Sequence, residues 1–243
     1  MRIIYVALAC AVVICLYLYA ANAYFYHRIH TGNLVFPDIE HSYLISGAGS
    51  VKTYAALGDS LTAGVGAEKY SESFPYLVGK ELAAKNTINL KVFAYPGLTS
   101  RDLVSDYLNS AIKAKPDVVT VLIGTNDVHN WVSAAGFEKN YRTILEKLTK
   151  ETSAKICVIS VPYLGSSSAL LPPLQSYFDY KTAQFNDIIK RLAAEYQVTY
   201  IDIAKPTKTL FKTDGPQYAA DSFHPSAQSY QSWADIIYAG INR

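Results

Sequence analysis

Four short segments of this 243-residue chain carry side chains that do chemistry when brought together. Gly58-Asp59-Ser60-Leu61 sets a serine just beyond a short apolar run, with Gly64 and Gly66 following. A hydroxyl is a weak nucleophile at its free pKa and needs an adjacent base. Asp221-Ser222-Phe223-His224-Pro225 supplies one. An aspartate three residues before a histidine can reach the imidazole within one turn, fixing its tautomer and stabilising its cation. Gly124-Thr125-Asn126-Asp127 offers an amide that can donate to an oxyanion. Tyr95-Pro96-Gly97 ends on a residue without Cβ, whose backbone N–H a ligand can approach closely. Together they make Ser60 a nucleophile, His224 its base and Asp221 the orienting acid. The Ser60 N–H, the Gly97 N–H and the Asn126 amide form an oxyanion hole. Such a set performs acyl transfer through a covalent intermediate.

Each residue alone has a plainer reading. An isolated serine there caps a helix, a lone histidine sits on a surface loop, and Asn126 and Gly97 serve turns. The combination, not any one residue, favours catalysis. Asp59 and Asp127 read as structural, their carboxylates bonding loop N–H groups. Trp131, Tyr163 and Tyr218 are candidate substrate-binding residues, as loop aromatics near the same edge, and His129 is a candidate neighbour. Simple packing is the alternative for all four. Leu164–Tyr180, with three serines and Pro172-Pro173, reads either as an apolar flap over an acyl chain or as an ordinary long loop.

Something must hold these segments together. Thr53–Leu57, Asn89–Ala94, Asp117–Ile123, Ala154–Val161 and Val198–Ile203 are short apolar runs, read as buried strands. Between them lie helical stripes, such as Phe137, Tyr141, Ile144, Leu145 and Leu148. A last stripe follows Pro225, with Tyr230, Trp233, Ile237 and Ile241. Strands that are apolar throughout and separated by helices predict a parallel sheet covered on both faces. The expectation is a three-layer α/β/α domain over residues 53–243 with a mostly parallel, five-stranded sheet. Ligands of such folds bind at the carboxyl ends of the strands, where all four segments fall.

Composition narrows the class. Half the residues are hydrophobic and 17% are charged, against about 25% in an average soluble protein. That excludes general disorder. A net charge of +2, with Lys and Arg scattered, predicts no nucleic-acid partner. Cys157 stands apart from Cys10 and Cys15, so no intrachain disulfide framework is available, and it reads as a buried structural thiol. From Ile3 to Tyr26 there is no charged residue, and about 20 apolar residues span a bilayer. Residues 1–26 are read as a transmembrane anchor or signal peptide, and residues 27–52 as a tether. The expectation is a single-pass membrane protein with its catalytic domain outside the cytoplasm. The alternative is secretion after cleavage near Ala23.

Gly58-Asp59-Ser60-Leu61, Gly124-Thr125-Asn126-Asp127 and Asp221-x-x-His224-Pro225 together resemble the motif blocks of the GDSL, or SGNH, hydrolases, in the same order. Where many relatives carry a small polar residue before the oxyanion glycine, this chain has Tyr95-Pro96. The resemblance implies a flavodoxin-like sheet and a serine esterase or lipase with the roles assigned above. The expected substrates are small-molecule, lipid or glycan esters, and no metal or organic cofactor is implied. Alternatives are an acyltransferase or deacetylase on cell-envelope glycans using the same triad, and a non-catalytic binding domain. A metal-dependent phosphoesterase is disfavoured, because the motifs bring only one histidine.

Overall fold

The computed structural model describes residues 2–31, 34–211 and 215–243. Its centre is β2 (Val51–Gly58), whose residues are buried from Tyr54 onward. Ala55 and Leu57 enter one apolar core while Tyr54 and Ala56 enter another. That alternation on a strand apolar throughout is what a sheet covered on both faces requires. β2 pairs in parallel with β3 (Thr87–Ala94) and β4 (Val118–Leu122). β4 pairs in parallel with β5 (Lys155–Ile159), and β5 with β6 (Thr199–Ile201).

One face is covered by α6 (Ala134–Glu151) and α7 (Leu174–Glu195), with α3 (Ser100–Asp102), a π-helical turn over Leu103–Tyr107, and α4 (Leu108–Lys113). Phe137 of α6 stacks on Phe185 of α7 with ring centres 4.0 Å apart. The other face is covered by α2 (Phe74–Leu82) and α9 (Ala227–Ile241) through Phe74, Val78, Tyr230 and Trp233. The short helices α5 (Thr125–His129) and α8 (Ala204–Leu210) follow β4 and β6. The three-layer expectation holds.

The sheet has six strands rather than five, in the order β1-β3-β2-β4-β5-β6. The addition is β1 (Ser42–Ile45), antiparallel to β3 from Ser42↔Lys91 to Ile45↔Ile88. It lies inside the stretch expected to be a tether. As a four-residue edge strand it buries only Ile45, so it leaves no run of buried apolar residues to read. Of the Leu164–Tyr180 stretch, residues from Leu174 onward belong to α7, and the remainder packs onto the domain. Leu164, Ala169 and Leu170 are buried in the core, and Ser167 Oγ donates to the Ser222 carbonyl at 2.7 Å. Cys157 is buried, and burial pushes its thiol up to about 11, as suits a structural cysteine.

The apolar N-terminal segment forms one 30-residue helix, α1 (Arg2–Thr31). It is long and apolar enough to cross a membrane or serve as a signal. It runs past Tyr26, and Arg28 and His30 in its last turn complement the negative end of the helix dipole. From Arg2 to Ala20 every side chain is exposed, whereas Ala21 and Phe25 are fully buried against the α/β domain.

Candidate active site

β2 ends at Gly58, and the chain turns at once, placing Ser60 at the carboxyl edge of the sheet. The turn is held by Ala63 N–H donating to Asp59 O at 2.9 Å and Val65 N–H to Ser60 O at 3.0 Å. Asp59 Oδ1 accepts from Leu61 N–H at 3.0 Å, the loop-bonding role expected of it. Burial raises the Asp59 carboxyl to about 7. Gly58 is required here: a Cβ would overlap Thr62 Oγ1 and the Leu122 carbonyl oxygen. Gly58→Ala is therefore expected to destabilise the fold by about 2–3 kcal/mol, as an overpacking change does, and to shift Ser60. Thermal melting together with ester turnover checks this, and an unchanged melt would contradict the crowding.

His224 arrives from the loop before α9. Its Nε2 lies 3.0 Å from Ser60 Oγ, and its Nδ1 lies 2.6 Å from Asp221 Oδ2. Asp221 Oδ1 accepts the Phe223 and His224 N–H groups, both at 3.0 Å. Burial alone would raise the Asp221 carboxyl, but the His224 ring and those two N–H groups outweigh it and hold the group below its usual range. Asp221 is thus an anion in a closed site, bonded on both oxygens. It fixes the His224 proton on Nδ1 and leaves the Nε2 lone pair facing the serine hydroxyl. The structure brings these three residues, 164 positions apart at the extremes, into one hydrogen-bonded line.

Asn126 opens α5 beyond β4. Its Nδ2 donates to the Leu98 carbonyl at 2.9 Å, which orients the amide and leaves a second N–H for the adjoining cavity. Asp127 accepts Ser100 N–H at 2.8 Å and Ser100 Oγ–H at 2.6 Å, tying α5 to α3. Gly97 sits at φ +89°, and a Cβ there would meet nothing within 4 Å. The glycine therefore serves the left-handed turn and leaves its N–H approachable. Among the described residues, neither the Ser60 nor the Gly97 N–H donates to the protein.

Ser60, Gly97, Asn126 and His224 line one cavity of about 330 Å³. Its remaining walls are mostly apolar, including Leu34, Phe36, Val65 and Phe223. His129 also lines it. Burial, then the neighbouring His224 and His30, lowers the His129 imidazole to about 4, so it is neutral.

The three aromatic candidates lie outside this cavity. Trp131 is largely exposed and packs on Tyr177 with ring centres 4.3 Å apart. Tyr163 lies under the Lys208 ammonium, in a separate groove beside α7 and α8. Tyr218 bonds Ser166 Oγ at 2.6 Å and packs edge-on against Phe211. Loop position put them near the site, but each ring is drawn to a partner beside it. What the sequence reading missed is α1, whose Tyr26, Ile29 and His30 form part of the cavity wall. The signal was a stripe at Ala21, Phe25 and Ile29, four residues apart, which marks a helix face with a partner.

Residues 56–232 match the GDSL-like lipase/acylhydrolase family. The spore germination lipase LipC of Bacillus licheniformis is 29% identical over 209 residues, covering 76% of this chain and 94% of that protein. An acetylxylan esterase of Geobacillus stearothermophilus is 25% identical over 166 residues, covering 64% of this chain and 74% of that protein. Among solved structures, the lipase/acylhydrolase from Enterococcus faecalis superposes with a TM-score of 0.63 at 21% identity, covering 78% of this chain and 95% of that one. The acetylxylan esterase Axe2 from Geobacillus stearothermophilus gives 0.63 at 20% identity, covering 80% of this chain and 96% of that one. The chain belongs to the GDSL-like lipase/acylhydrolase family and is a serine ester hydrolase of that type.

Proposed function

We propose that the protein hydrolyses carboxylic esters through an acyl-enzyme on Ser60. The observation that carries this reading is the hydrogen-bonded line from Asp221 Oδ2 through His224 to Ser60 Oγ, at 2.6 and 3.0 Å. Ser60 Oγ attacks the ester carbonyl carbon while His224 Nε2 takes its proton. The carbonyl oxygen becomes an oxyanion, stabilised by the Ser60 and Gly97 N–H groups and the Asn126 amide. His224 returns the proton to the departing alcohol. It then activates a water that attacks the acyl-enzyme, releasing the carboxylic acid and the free serine. Asp221 stabilises the imidazolium in both halves.

An acyltransferase or a deacetylase of envelope glycans would use the same first half-reaction, with a different acceptor or acyl group. The mostly apolar cavity favours an ester with a longer acyl chain over the acetyl ester of a sugar. In this reading α1 anchors the chain in the membrane through Arg2–Ala20, its last turns rest on the domain, residues 32–52 carry the chain on through β1 into the sheet, and residues 53–243 form the hydrolase domain outside the cytoplasm.

The full chain in mild detergent, assayed on p-nitrophenyl esters from acetate to palmitate, tests the activity. The expected result is hydrolysis with an optimum above acetate, set by the apolar cavity. No hydrolysis of any ester by folded protein would overturn the hydrolase reading in favour of a transferase that requires its own acceptor.

A further inference from the structure

Resting on that reading, we propose that the C-terminal third of α1 is the membrane-side wall of the catalytic cavity. Through it the ester of a membrane-resident amphiphile reaches Ser60 from the bilayer plane.

The exposed part of α1, Arg2–Ala20, is 19 residues long, which at 1.5 Å per residue is about 28 Å. That matches a hydrocarbon core of about 30 Å. Burial against the domain starts at the next residue, Ala21. Phe25 and Ile29 follow on the same face, about 6 and 12 Å farther along the axis at that rise. The cavity wall, which α1 enters at Tyr26, therefore begins about two helical turns beyond the hydrocarbon, at the outer edge of the headgroup layer, without an intervening tether.

The docking is built into the triad's own loop. Phe25 is fully buried and packs edge-on against Phe223, with ring centres 5.1 Å apart. It meets His129 at 5.5 Å. Arg28 Nη2 donates to Ser222 Oγ at 2.8 Å. Ser222 and Phe223 are the two residues between Asp221 and His224, so α1 braces the segment that carries the acid and the base. Tyr17 Oη donates to the Pro172 carbonyl and Tyr26 Oη to Asn130 Oδ1. These contacts set the 164–173 loop and the end of α5 beside residues 17 to 26 of the helix. Trp131 follows Asn130; it is exposed and packs on the half-buried Tyr177, and exposed aromatics of this kind are enriched at membrane–water interfaces. With Ile29 in the wall and Phe36 both exposed and lining the cavity, an apolar path leads from the lipid boundary to the serine. A cavity of about 330 Å³ is at the small end for ligand sites, which suits one acyl chain.

The test uses the full chain in nanodiscs of ether-linked phosphatidylcholine, which offers no ester. Three readouts are compared: turnover of 1-palmitoyl lysophosphatidylcholine in the disc, turnover of p-nitrophenyl acetate in solution, and labelling of Ser60 by a fluorophosphonate. The wild type is expected to hydrolyse the lysolipid and to label. Ile29→Asp is expected to lower lysolipid turnover relative to acetate turnover by about tenfold or more, the scale of one buried aliphatic contact. If that variant fails to label, Ile29→Ala carries the comparison. Lipid brominated near the headgroup end of its chains is expected to quench Trp131 and, of the two tryptophans, to spare the buried Trp233. Equal loss of both turnovers, an inert lysolipid with a labelled Ser60, or an unquenched Trp131 would each overturn the proposal. Absence of Ser60 labelling in the wild type would instead overturn the esterase reading on which it rests.

Discussion

Ser60→Ala is expected to lower kcat by about 10⁵- to 10⁶-fold, the scale seen when the nucleophile of such a unit is removed. The fold should survive. The hydroxyl sits at the polar edge of the sheet, and its side-chain bond is the one to His224 Nε2. Losing one such bond costs about 1 kcal/mol, which moves the melting temperature of a chain this size by about 2–4 °C. The Asp221–His224 pair remains bonded in the variant, and Val65 N–H still donates to the backbone oxygen at position 60. Calorimetry beside an ester assay separates the two effects. Wild-type turnover from a normally melting variant would remove Ser60 from the mechanism.

Asp221→Asn is expected to lower kcat by about 10³- to 10⁴-fold. An asparagine amide turned toward His224 Nδ1 would donate where the carboxylate accepts. The ring proton would then sit on Nε2, the wrong nitrogen for taking the Ser60 proton. The same variant has a stability signature. The Asp221 carboxyl is held below its usual range in the fold. Its contribution is therefore fully present above the unfolded aspartate pKa of about 3.9, and is lost as pH falls through the lower folded value. The melting difference between wild type and Asp221→Asn should be full at neutral pH and close in that acid window. A pH-independent difference would mean that Asp221 supplies shape rather than charge. An unchanged rate at neutral pH would mean that another group orients His224.

The candidate catalytic segments were legible because their information is local. Gly58-Asp59-Ser60-Leu61 and Asp221-x-x-His224 each carry chemistry within four residues, and the apolar runs before them read as strands ending at one sheet edge. Local pattern fails where partners are distant. β1 is too short to show a period, and it exists because β3 offers it an edge. Trp131, Tyr163 and Tyr218 were placed by loop position, and neighbours at Tyr177, Lys208 and Phe211 took their rings elsewhere. The wall from α1 was hidden by a stronger signal. An uncharged run of that length reads as membrane helix along all its faces, and only the Ala21, Phe25 and Ile29 stripe distinguishes its last turns. The partners of that stripe, Phe223 and His129, lie more than one hundred residues away, beyond any local pattern.

The proposed mechanism passes through a covalent acyl group on Ser60, which can be trapped. The full chain would be mixed with a p-nitrophenyl ester, quenched in acid within the first turnovers, digested and mapped by mass spectrometry. The expected result is the mass of the substrate's acyl group on the peptide containing Ser60, absent in Ser60→Ala. An acyl group on a different residue, or hydrolysis at full rate with Ser60 never acylated, would contradict it.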